Sequence, residues 1–119
     1  MKHDLNYSDL DHFSGTDVWY RHGVIRNVVW TEGVEYLAQH GGAYWLIDEV
    51  ATNQVIPAVR KEGFQVWTLT VSRDRTATLV CDDGNSRIVF SKAIEYTDFP
   101  LQMITLYCTD NVISLPREY

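Results

Sequence analysis

No apolar run in these 119 residues approaches the ~18 that a helix needs to cross a bilayer. The opening stretch, MKHDLNYSDLDHF, has no apolar segment of the kind a signal peptide requires. The expectation is a soluble, cytoplasmic protein with no membrane partner. Basic residues are scarce, ten Lys and Arg against sixteen Asp and Glu, for a net charge of −6. Affinity for nucleic acid comes largely from Lys and Arg on phosphates, so direct nucleic-acid binding is not expected. Cysteine is nearly absent. Cys81 and Cys108 both fall in strand-like stretches and read as small buried hydrophobes in a reducing compartment. A disulfide between them stays open, because two sheet positions can meet at bonding distance.

Chemical motifs are missing too. The histidines, His3, His12, His22 and His40, lack the close spacing of a helix-borne zinc site, and there is no Cys-x-x-Cys. His3, Asp4, Asp9, Asp11 and His12 cluster in sequence, which N-terminal polarity explains better than a metal does. Gly41-Gly42 precedes a helical stretch without a Walker lysine or a preceding strand. Asp82-Asp83-Gly84-Asn85 lacks the twelve-residue loop of a calcium hand, and neither Ser14 nor Ser86 sits in a nucleophile elbow. No cofactor, no metal and no catalytic residue is expected.

What is present is enough apolar material, 45 % of the residues, for one core in a single domain, 1–119, with 1–17 as a polar N-terminal segment. The segment 31–53 is its centre. Thr31 reads as an N-cap, Glu32 and Glu35 favour the positive end of the helix dipole, and Val34, Leu37 and Ala38 share a helical face. Gly41-Gly42 reads as a hinge. Beyond it Trp45, Leu46, Val50 and Ala51 continue the stripe, with Asp48 and Glu49 toward solvent. Residues 55–63 read as a linker around Pro57, after which the period changes to two. Alternation predicts strands at 64–71, 76–82, 86–96, 103–108 and 112–115, with Asp83-Gly84 as the clearest hairpin turn. The predicted core includes Leu37, Trp45, Leu46, Val50, Trp67, Leu69, Leu79, Ile88, Ile104 and Leu106. Helices first and strands after argue an α+β fold, with N-terminal helices packed on one face of a mainly antiparallel sheet of about five strands.

The one cluster with interface composition is Trp19-Tyr20-Arg21-His22, because arginine among aromatics is typical of binding hot spots. Three readings are open. The aromatics cap the core while Arg21 pairs with a carboxylate, or the four residues anchor a protein partner, or Arg21 and His22 line a small-ligand or catalytic pocket as anion holder and acid–base. The acidic balance, with Asp9, Asp11 and Asp17 leading, fits a partner with a basic surface as well as it fits plain solubility. A homodimer through exposed aromatics is compatible with the same composition.

The segments WYRH (19–22), TEGVEYLA (31–38), GAYWLIDEVA (42–51), FQVWTLTV (64–71), IEYTDFPL (94–101) and VISLPREY (112–119) resemble a family of short bacterial proteins, found in cyanobacteria and on mobile elements, known as a domain of unknown function. The resemblance covers nearly everything beyond about residue 13. It implies a compact stand-alone domain and carries no activity, cofactor or catalytic residue. Plasmids and phages often encode small acidic proteins that bind host factors, including defence nucleases. By that analogy the expectation is a non-catalytic interaction protein docking on a basic groove of a host defence or nucleic-acid-handling complex. The alternative is a ligand-binding domain or small enzyme using Arg21 and His22.

Overall fold

Thr31 opens the central segment in the computed structural model, which describes residues 5–119. Its hydroxyl accepts the Val34 N–H at 3.3 Å, and helix α2 runs from Glu32 to Gly41. The two glycines that follow have separate reasons. A side chain at Gly41 would meet Leu5 at 2.9 Å and Phe99 at 3.0 Å, so that position is small because the core crowds it. Gly42 has φ 61°, and its N–H and that of Ala43 both return to the Ala38 carbonyl. This left-handed cap ends α2 and starts α3, Tyr44–Thr52, within two residues. A four-residue helix α1, Tyr7–Leu10, precedes them. The stretch expected as a linker is ordered. A 3₁₀ turn, Asn53–Val55, leads into α4, Pro57–Arg60, with Pro57 in the first turn where its missing N–H costs nothing.

The five predicted strands form close to their expected limits: β3 Phe64–Val71, β4 Ala77–Asp82, β5 Ile88–Ile94, β6 Met103–Thr109 and β7 Val112–Ser114. The fold is α+β. The sheet, however, has seven strands and is mixed. Two short strands, β1 Tyr20–Arg21 and β2 Val29–Trp30, complete the order β1-β2-β7-β6-β3-β4-β5. β2 runs parallel to β7, and every other pair is antiparallel. Two-residue strands are too short to show alternation, and their partner lies near the other end of the chain.

The buried sheet face carries Trp67, Leu69, Leu79, Cys81, Leu106 and Cys108. Polar ties fasten the helical segments to the sheet: Glu49 on α3 holds Lys92 on β5 at 2.7 Å, and Gln54 bonds Gln65 on β3. Helices supply only part of the cover, since Phe99 and Leu101 from the β5–β6 connection are buried in the same core. On the opposite face Phe64, Tyr107 and Tyr119 pack together, with ring centroids 4.9–5.5 Å apart.

Two predicted core residues lie elsewhere. Ile88 is 62 % exposed. The register shifts between Cys81 and Asp82, so Asp82 opposes Ile88 where unbroken alternation would place Val89, and Ile88 turns outward. Trp45 is only half-buried, because the inward stripe of α3 is Leu46, Ile47, Val50 and Ala51, and Trp45 stands at its margin. The hairpin turn is as expected, with Gly84 at φ 88° and the Phe64 ring 2.9 Å from where a side chain would begin. Cys81 and Cys108 are free and buried. They sit on β4 and β6, opposite Trp67 and Gln65 on the intervening β3. Two strand spacings, about 9.5 Å, are beyond disulfide reach.

Candidate functional site

The WYRH cluster divides three ways, since adjacent residues of an extended chain point to opposite sides. Tyr20 turns inward and stacks on Trp30, with ring centroids 6.4 Å apart. Trp19 stands in solvent, 54 % exposed, and Arg21 is exposed with its guanidinium donating to the Arg26 carbonyl. His22 is 7 % exposed. Its Nδ1 accepts N–H groups from Val24 at 3.1 Å and Ile25 at 2.8 Å, so Nε2 carries the proton and donates to Asp48 at 2.7 Å. Both ring nitrogens are therefore engaged: Nδ1 closes the loop between β1 and β2, on which the His22 N–H also bonds the Val28 carbonyl, and Nε2 ties that loop to Asp48 on α3. Arg21 and His22 do not converge.

The acidic trio is dispersed as well. Asp9 belongs to the cap of α1, accepting the Asn6 N–H at 3.0 Å. Asp11 faces Arg117 at 3.6 Å, both exposed. Asp17 lies on the loop before β1, in a hollow next to the one that Tyr20 lines. Two adjoining hollows share Phe13 and Glu32. One, of about 390 Å³, includes His12, Thr16 and Asp17. The other, of about 380 Å³, is lined by Val18, Tyr20, Tyr36 and Glu35. His3 and Asp4 lie outside the described residues. Among the described residues no three His, Cys, Asp or Glu side chains converge to hold a metal ion, and no helix is long and apolar enough to cross a membrane.

Glu32 and Glu35 are the site residues that sequence reasoning passed over. They read there as partners of the helix dipole, and both stand on the first turn of α2. Glu32 accepts the Val18 N–H at 2.9 Å and the Asp17 N–H at 3.2 Å, which ties the loop to the helix. Glu35 accepts the Trp30 indole N–H at 2.9 Å and the Tyr44 hydroxyl at 2.5 Å. The bond to Glu35, aided by burial, pushes the Tyr44 phenol up to about 12. Ion pairs among the described residues join Arg87 to Glu62, Lys92 to Glu49, Arg117 to Asp11 and His22 to Asp48. None reaches Glu32 or Glu35. A third hollow, of about 310 Å³, contains Arg73 and Arg75, but the Arg75 guanidinium is spent on the carbonyls of Thr97 at 2.9 Å and Phe99 at 2.7 Å.

The model of the DUF6876 family, described as a family of unknown function, matches residues 4–119. No curated protein and no solved structure matches the chain.

Proposed function

Because the chain belongs to the DUF6876 family of unknown function, we propose its role from its own geometry: a small acidic, non-catalytic interaction protein that binds a basic surface on a protein partner. The observation that carries this reading is a pair of adjoining hollows bearing Asp17, Glu32 and Glu35, with exposed Val18 on the wall of one and exposed Trp19 next to it in the chain. An aromatic anchor with an acidic surround is what a positively charged protein face would meet, and the net charge of −6 adds long-range attraction. A role against a host defence or nucleic-acid-handling complex, on behalf of a mobile element or phage, rests on the analogy with small acidic proteins of such elements. The alternative, a pocket using Arg21 and His22, draws no support from a histidine whose nitrogens are both engaged and an arginine braced on its own loop.

The test is capture of partners from host lysate at low and high ionic strength. Asp17→Lys with Asp11→Lys should reduce capture at low salt, and Trp19→Ala should shorten the lifetime of the complex. Asp9 is left intact, because its carboxylate caps α1 and its loss would mix folding with binding. A bound set indifferent to salt and to all three substitutions would overturn the reading.

A further inference from the structure

We infer that the hollow between the loop before β1 and the first turn of α2 is a seat for one arginine side chain of the protein partner. The inference rests on the interaction reading above and names the group recognised. Three features of the hollow bear on it.

The first is unspent negative charge. Glu32 and Glu35 lie three residues apart on one helix face, where side chains are neighbours. Each carboxylate is held in place by two N–H or O–H donors, yet no lysine or arginine among the described residues lies within ion-pair distance of either. Surface carboxylates are usually left to water as mobile side chains. These two are fixed by Val18, Asp17, Trp30 and Tyr44, so a cation arriving there has little ordering left to do.

The second is the wall. Phe13, Tyr20 and Tyr36 line the same hollow, with Phe13 and Tyr36 centroids 5.3 Å apart and Tyr20 backed by Trp30. Carboxylates alone would suit any cation. Aromatic rings beside them favour one that is flat, weakly hydrated and able to stack.

The third is shape. At about 380 Å³ and open to solvent, the hollow admits a side chain from a neighbouring surface. Guanidinium carries five donors in a planar fork, which can address two carboxylates at once, while the compact lysine ammonium meets them as a point charge. Arginine is therefore the favoured occupant.

The probe is N-acetyl-arginine amide, titrated into the full chain and followed by NMR at the Trp30 indole N–H and the Tyr20 and Tyr36 rings. Saturable shifts at these groups are expected, weakening as salt rises. The citrulline counterpart, which has the shape without the charge, should give none, and the lysine counterpart should bind several-fold more weakly. Glu32→Gln keeps an acceptor for the loop N–H groups and should weaken arginine binding several-fold with an unchanged circular dichroism spectrum. Tyr36→Leu provides a second variant that leaves both carboxylates intact, with the same expectation. Absence of saturation, equal binding of citrulline, equal or tighter binding of lysine, or wild-type affinity in Glu32→Gln would each overturn the assignment. If Glu32→Gln and Tyr36→Leu still capture a basic partner as the wild type does, the interaction reading stands and the seat falls. If the seat binds arginine while no basic protein is captured, the interaction reading falls instead.

Discussion

His22 is a hydrogen-bond acceptor before it is anything else. Its Nδ1 takes two backbone N–H groups from the loop it begins. A sequence reader sees a histidine beside an arginine and thinks of acid–base chemistry, and only the fold shows where the ring points. His22→Ala should cost about 1–3 kcal/mol, because the loop donors and Asp48 lose their partner together. His22→Asn places an oxygen near the former Nδ1 and should recover part of that loss. Urea denaturation of the two variants measures the difference. If Asn is no better than Ala, the contact with Asp48 is the part that matters. Glu32 and Glu35 show the same limit from the other direction. Their position in a first helical turn was legible, and their placement beside Phe13 and Tyr20 was not, because the loop that brings those rings has no period to read.

Strands β3 and β4 were legible almost to the residue, since each has a long alternation and a turn of clear chemistry at its end. β5 was legible more coarsely: it spans Ile88–Ile94 where 86–96 is expected, and Ile88 faces outward because a bulge leaves no mark in the pattern of apolar residues. The buried amides were invisible altogether. Gln65 occupies an inward position on β3, and its side chain trades bonds with Gln54 at 2.8 and 2.9 Å. It also accepts the Trp67 indole N–H at 2.9 Å and donates to the Val59 carbonyl at 3.0 Å. This single side chain fastens β3 to the segment joining α3 and α4. Gln65→Leu should therefore lower stability by about 2–4 kcal/mol despite adding apolar volume, since several buried groups lose partners at once. Adding Gln54→Leu should cost less than the sum of the two single changes, because the two amides satisfy each other. Additive losses in denaturant midpoints would show the pair to be uncoupled.

The molecule as a whole has an alkaline limit that follows from its core. Burial pushes the thiols of Cys81 and Cys108 from 9.0 up to about 12, and Tyr44 moves upward as well. Below pH 9 the thiols are protonated in both folded and unfolded chains, and their contribution to stability is fully present. As pH rises from 9 toward 12 the unfolded chain ionises first, so stability falls across that window. Melting temperatures taken through this range should decline less steeply in a Cys81→Ala, Cys108→Ala variant. Identical slopes would show that the two thiols do not set the decline.

Strand β7 lies in the interior of the sheet, between β2 and β6. Just beyond it, Glu118 accepts the Gly33 N–H at 3.1 Å and the Thr31 hydroxyl at 2.5 Å, at the start of α2. The β1–β2 hairpin, which follows Trp19 and carries Tyr20, thus has its sheet neighbour among residues made late. On a ribosome β1 and β2 must wait, unpaired along one edge, until residues 112–118 have emerged. The antiparallel block from β3 to β6 can assemble first, since its contacts are closer in sequence. The sheet edge that carries Tyr20, beside the hollow proposed above as an arginine seat, is then completed only when β7 is in place.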